Sequence, residues 1–433
     1  MWFIIEKLKI CSFVTCLACL SFTPFAKTYW IKVDGQSCNK EACVCSILHP
    51  CSLDNALQAR LKPGDTVNLQ GGTYSGFTIS NLHGEEKNKI TFNGDVYAGA
   101  AHISGKGNNT RDTIEIKKSS YIDLKNLKIT DALRAGVRIN NSHHITLKNN
   151  QLENNGVWGI FTNHANYFEA IENKIIGPAQ QHGIYQSNSG DNVKIISNYI
   201  INFDGCAVHA NGDLSMGGAD NVVADGIISN IEIRDNFFAG NGKSGGSAIN
   251  LDGVDGAEIT NNIIIDNKGA GIAVFKQDGA IGSKRISIQR NMIIMPPDSR
   301  AAVIFNKSEG NNLLKDNVII AQHTHRGVYE VQPLKLSSFR KKLLEELPFT
   351  SEKNFYSYRK NFAIFNSIQK VELVDFKKLK QVRKPKKFTH QYMLLSSSND
   401  YKFTIPADLE DILIKQNIVK RHPYRDLIMV SDE

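Results

Sequence analysis

Between residues 114 and 331 one short phrase returns again and again, and it limits the folds open to this chain. Each copy reads apolar-x-apolar, a short polar step and Asn-x-apolar, followed about ten residues later by Gly or Ala and then Ile or Val. "ITLKNNQL", "VKIISNYI", "IEIRDNFF", "AEITNNII", "ISIQRNMI" and "LLKDNVII" carry the first half; "GVRIN", "GIFTN", "GIYQS", "AVHAN", "AINLD", "GIAVF" and "GVYEV" carry the second. A unit of roughly 25 residues cannot bury its apolar side except against a copy of itself, so the repeat implies a solenoid. Alternation within "VKII" and "INL" has period two, and no helical stripe persists from copy to copy, so the units are strands. Stacked coils place each inward residue on its counterpart about 4.8 Å away, in parallel sheets. Asn150, Asn173, Asn198, Asn236, Asn262, Asn291 and Asn317 hold one position in successive coils. Asn tolerates a left-handed backbone there, and its amide can bond the copies above and below.

With its Asn column and Gly-Ile/Val strand starts, the chain resembles the right-handed parallel β-helix proteins of the pectate-lyase-like superfamily over most of residues 60–333. The resemblance implies an all-β, single-stranded right-handed parallel β-helix of about ten coils. In that superfamily the Gly-Ile strand forms the first sheet, whose outer face lines the usual substrate groove.

Residues 1–26 read as an export signal: Lys7 and Lys9 precede an apolar run from Ile10 to Phe22 that is too short to span a bilayer. A lipoprotein start at Cys19 and an uncleaved anchor are the alternatives. Residues 27–63 form a Cys-rich cap. In an oxidising compartment Cys38, Cys43, Cys45 and Cys51 suggest two disulfides in one of three pairings, with zinc as the rival reading. Cys206 is left over as a buried thiol. Ser52 is placed to cap a short helix carrying Leu53, Ala56, Leu57 and Leu61, which would cover the open end of residues 64–333, the solenoid. "PGDTVNLQGGTY" resembles the opening segment of many secreted β-helix polysaccharide enzymes.

Charge separates the final segment. Lys plus Arg equal Asp plus Glu at 31 each up to residue 333, against 20 and 12 beyond it, so the net charge of +8 sits in residues 334–433. This irregular basic segment is expected to pack on or beside the helix. Basic residues attract acidic polysaccharide, anionic lipid or nucleic acid; the absence of any nucleic-acid module and the export signal argue against the last. A monomer without a stable membrane span is the expectation.

Aligned on their Gly or Ala, the first-sheet strands turn Val137, Ile160, Ile184, Val208, Ile249, Ile272, Val303 and Val328 inward. The first outward column is Arg138, Phe161, Tyr185, His209, Asn250, Ala273. The second is Asn140, Asn163, Ser187, Asn211, Asp252, Phe275, with His164, His182 and Lys276 at the edges. Rung spacing is close to one sugar of an extended chain, and the column suits β-elimination at a uronic acid. Arg138 would face the carboxylate, His209 would act as base, and Tyr185 as acid or in a shared role. His164, His182, Asn211, Asn250, Asp252 and Lys276 are the expected substrate contacts. The long insert between Asn198 and Asn236, "NGDLSMGGADNVVADG", should overhang this groove.

Calcium is a candidate cofactor, with Asp213, Asp220, Asp225 and Asp252 as oxygen donors at no diagnostic spacing. The chain departs from the polygalacturonase-like pattern, lacking its paired Asp, Gly-His-Gly and Arg-x-Lys. It also lacks Asp-Pro-His-Asp of one alginate epimerase group and Trp-x-Asp-His of the common pectate lyases. A secreted lyase on an acidic polysaccharide is therefore the leading expectation, beside an epimerase, a hydrolase and a non-catalytic adhesion protein.

Overall fold

The computed structural model describes residues 26–37, 44–94, 99–106, 111–177, 179–215, 225–322, 325–332, 347–358, 361–365, 369–371, 394–397, 400–418 and 421–431. Three strands make each coil, and like strands of successive coils pair in parallel, building a right-handed β-helix whose third sheet has 11 strands. That sheet runs from Gly72–Ser75 to Phe355–Tyr358. No helix among the described residues is long and apolar enough to cross a membrane.

The stacking follows from the side chains. Val137, Ile160, Ile184, Val208, Ile249, Ile272 and Val303 are direct partners from coil to coil and are fully buried. The inward column then departs from expectation by one residue: Val303 pairs with Tyr329, not Val328. The buried Tyr329 hydroxyl bonds that of Tyr356 at 2.6 Å, a partner from the next coil that Val328 could not satisfy.

The Asn column forms a continuous ladder. Each Asn Oδ1 accepts from the main-chain N–H and the side-chain amide of the preceding copy, from Asn150–Asn173 at 3.0 Å through Asn236–Asn262 at 3.0 Å. It extends one copy beyond expectation, since Asn317 bonds Asn354 at 2.8 Å. The left-handed residue of each turn, however, is the one before the ladder Asn: Asn149, Glu172, Ser197, Asp235, Asn261, Arg290, Asp316 and Lys353 all have φ between 51° and 59°. The ladder Asn is selected for its amide, not for its backbone.

Strand pairing also outruns the expected boundaries at both ends. Thr28–Gln36 lies within the Cys-rich cap yet pairs with Thr66–Leu69. Phe349–Glu352, Phe355–Tyr358 and Asn361–Phe365 continue the three sheets after residue 333. The helix Leu53–Gln58 packs on the first coil through Leu53 and Ala56; Ser52 sits at its N-cap without a side-chain hydrogen bond, and Leu61 lies beyond its end. Cys45 pairs with Cys51 in a disulfide, while Cys38 and Cys43 lie outside the described residues, as do residues 1–25 of the expected signal.

The outer face of the third sheet changes character along the axis. His102, Lys128, Gln151 and Lys174 give way in the same column to Tyr199, Phe237, Ile263, Met292, Val318 and Phe355. Apolar residues on an outward face need a cover. Tyr401, Phe403, Ile405, Leu409, Leu413, Ile418 and Ile428 of the final segment supply it. The densest basic run, residues 376–388, lies outside the described residues.

Candidate functional site

The outer face of the first sheet carries a chemically mixed column. Arg138, Phe161, Tyr185, His209, Asn250 and Ala273 are register partners in that order. Asn140, Asn163, Ser187, Asn211, Asp252 and Phe275 form the second column beside them. In-register stacking makes ring meet ring. Phe161 and Tyr185 stack at 5.3 Å and 9°, and Tyr185 and His209 at 5.2 Å and 26°. The Arg138 guanidinium lies 4.6 Å from the Phe161 ring centre. Trp158 adds a fourth ring, 4.4 Å from Phe161 and 6.0 Å from Tyr185, with its Nε1 donating to Gln181. Burial, with Arg134 nearby, pulls the Arg138 pKa below its ordinary value. Its Nη1 is buried with no hydrogen-bond partner.

Beside this stack three hydrogen-bonding groups impose a proton order. The main-chain N–H of Cys206 donates to Nδ1 of His182 at 2.9 Å, and Nε2 of His182 lies 3.2 Å from Nδ1 of His209. A nitrogen that accepts cannot carry the ring proton, so neutral His182 is protonated at Nε2. It therefore donates to His209 Nδ1, which leaves the His209 proton on Nε2. That atom is buried and unpartnered. An imidazolium at position 209 would set two N–H groups against each other. Burial itself lowers the His209 pKa to about 4, and burial plus His209 lowers that of His182 well below its ordinary value.

A nitrogen from each histidine and Sγ of Cys206 lie within 4.8 Å of one another, a donor set suited in composition to a soft metal. The hydrogen bonds argue against ligation in this arrangement, because both nitrogens of His182 are engaged and a ligand needs a free lone pair. Burial also pushes the Cys206 thiol up to about 12. The trio is a hydrogen-bonded chain of fixed proton order that begins at the main-chain N–H of Cys206.

Around Tyr185 the partners are polar. Asn211 Nδ2 donates to the Tyr185 hydroxyl at 3.1 Å and to Asp278 at 3.4 Å. Burial raises the Tyr185 pKa, the Asn211 bond lowers it, and Asp213, Asp278 and Asp252 raise it further. The phenol therefore holds its proton at neutral pH. Asp252, an expected substrate contact, accepts main-chain N–H groups from Gln277, Asp278 and Gly279 and so braces the loop that carries Asp278. Lys276 Nζ donates to Ala280 O at 2.7 Å within that loop. Of the calcium candidates, Asp213 accepts from Ser215 and Asp225 from Ile227, while Asp220 lies outside the described residues with most of the long insert. His164 occupies the turn leaving this sheet, at φ 49°, with a buried unpartnered Nε2.

The structure thus groups Tyr185, His209, His182, Asn211 and Asn250 closely, sets Arg138 two rungs from Tyr185, and turns Asp252 and Lys276 to loop support. Sequence reasoning missed Trp158, Asp278 and the main-chain N–H of Cys206 that orients His182. Trp158 precedes the aligned Gly159 and was discoverable by extending the register; Asp278 reaches the site by loop folding, which no repeat encodes.

The buried neutral histidines have a measurable consequence. His209 and His422 stay neutral down to about pH 4 in the fold, whereas an unperturbed imidazole protonates near 6.5. The unfolded chain binds more protons in that window, so stability should fall as pH drops from 6.5 towards 4. Urea midpoints measured across this range should decline, and His209→Gln should flatten the decline; parallel profiles for the two proteins would contradict the burial of a neutral imidazole at position 209.

Residues 60–214 match the family described as the right handed beta helix region. The chain is a right-handed parallel β-helix protein. Among solved structures this β-helix is similar to XylC in its complex with xylose, at 9% identity and a TM-score of 0.51, covering 89% of this chain and 90% of that one. It is also similar to PfbA, a surface adhesin of Streptococcus pneumoniae, at 12% identity and a TM-score of 0.50, covering 79% and 87%. An alginate lyase from Paenibacillus sp. aligns at 15% identity and a TM-score of 0.46, covering 70% and 93%. At these identities the likeness is one of fold. No curated protein matches the sequence.

Proposed function

We propose that the outer wall of the first sheet binds an acidic, uronate-containing polysaccharide and cleaves it by β-elimination. The observation that supports this reading best is the column itself: a cation, a ring platform, a neutral phenol and an oriented imidazole N–H on one rigid face. His209 Nε2–H donates to the carboxylate of the reacting uronate, which acidifies the adjacent C–H, while Arg138, three rungs away beyond Phe161 and Tyr185, holds the carboxylate of another sugar of the same chain. The proton order gives His209 a donor's part in place of the base expected from its position.

Asp278 takes the released proton. The electron pair forms the C=C bond as the C–O bond to the leaving sugar breaks, and the Tyr185 hydroxyl protonates the departing oxygen. Solvent exchange then returns both groups to their starting state. An epimerase would use the same carboxylate contacts but return a proton to carbon without breaking C–O. Arrival at the site is by export, in keeping with the leader-like residues 1–26.

A non-catalytic adhesive role is the second reading. It is favoured by the near-complete burial of His209 Nε2 and Asn211 Oδ1, which leaves the half-buried rings of Trp158 and Tyr185 as the more accessible part of the wall. Incubation with polygalacturonate, alginate and hyaluronate separates the two. Elimination predicts a rise in ultraviolet absorbance from unsaturated uronate ends on one of them. Binding without such a rise on any polymer supports adhesion and contradicts the lyase.

A further inference from the structure

A second groove lies away from this column, on the outer face of the second sheet. It is a cleft of about 720 Å³ whose wall includes His144, Tyr167, Asn192, Asn230, Gly256 and Arg285. Each of these begins its coil's second-sheet turn with positive φ, from 53° for Tyr167 to 87° for Gly256. Asn and Gly adopt that backbone readily; bulky side chains do so at a cost. Yet three consecutive coils place Tyr121, His144 and Tyr167 there, at φ 56°, 55° and 53°. Their rings stack at 4.4 and 4.3 Å, nearly parallel, and end on Tyr167, which is 47% exposed. The fold does not need aromatic residues here, because Asn192 and Asn230 fill the same place in later coils with a side-chain hydrogen bond.

The charges of the cleft decide what fits. Lys89 pairs with Asp123 at 3.1 Å, Lys194 with Glu169 at 2.9 Å, and Arg285 with Asp255 at 2.5 Å. Each cation is therefore already neutralised, while Glu86 and Glu258 add negative charge to the lining. A polyanion would be repelled. We propose that this cleft is a second saccharide-binding site, for an uncharged glycan whose ring faces stack on Tyr167 and whose hydroxyls donate to the lining carboxylates. It would hold a neutral chain beside the acidic one assigned to the first sheet, and it stands whether or not that assignment does.

The test is saturation-transfer NMR and calorimetry on the full chain with cellohexaose, xylohexaose, laminarihexaose, maltohexaose and chitohexaose, with no acidic polymer present. We expect at least one to bind, with an affinity unchanged between low and high salt. Tyr167→Asn suits the backbone, so it should leave the melting temperature unchanged or raised while weakening binding roughly tenfold. No binding by any member of the panel, binding that salt abolishes, or binding indifferent to Tyr167→Asn would each overturn the proposal.

Discussion

Tyr185→Phe should reduce turnover of the acidic polymer by about 10²–10⁴-fold, the range for losing a positioned general acid. Binding should survive, because the substituted ring still stacks between Phe161 and His209. The lost hydroxyl has one described partner, Asn211 Nδ2, which keeps its contact with Asp278, so the local fold has an alternative. Steady-state rates from product absorbance, with calorimetric binding alongside, check both halves. Equal loss of binding and turnover would mean that the phenol only holds substrate; no loss of either would remove Tyr185 from the chemistry.

The largest stability effect is expected in the Asn ladder. Asn236 Oδ1 accepts from the main chain and side chain of Asn198, while its own Nδ2 donates to Ile195 O at 2.8 Å and to Asn262 Oδ1 at 3.0 Å. All these groups are buried, so Asn236→Ala removes one side chain and orphans several donors and acceptors. At roughly 1–3 kcal/mol for an unsatisfied buried group, and with partial relaxation, a loss of about 3–5 kcal/mol is expected. Lys194→Ala breaks an exposed pair with Glu169 and should change stability by about 0.5 kcal/mol or less. Urea midpoints compare the two; similar shifts would mean that the ladder contributes no more than a surface contact.

Most of the solenoid was legible because its cause is periodic. One apolar position per strand, repeated, has only one way to be buried, and the same register carried Arg138, Tyr185 and His209 onto one wall. The misreadings arose where a residue has two uses. Asn by its type permits a left-handed backbone, whereas the ladder needs its amide and the preceding residue takes the turn. Val328 fits the aliphatic column as well as its predecessors do, but Tyr329 has a hydroxyl partner in the following coil.

The cover on the third sheet was written in plain sight. Tyr199, Phe237, Ile263 and Met292 are outward residues that water would not favour, and their apolar character announces a partner segment. The chemistry of the site was less readable. Residue type suggested a base at position 209, but the proton sits according to a main-chain N–H at position 206 and a second ring at 182. Loop residues such as Asp278 arrive through folds outside the repeat.

A crystal structure of the Tyr185→Phe protein with a bound oligouronate tests the central claim most directly. The account predicts the sugar chain lying along the Arg138–His209 column, one carboxylate within hydrogen-bond reach of His209 Nε2 with Asp278 facing the adjacent C–H, and the carboxylate of another sugar at Arg138. An oligouronate held on another face, or on this wall with its carboxylates turned away from both donors, would contradict it.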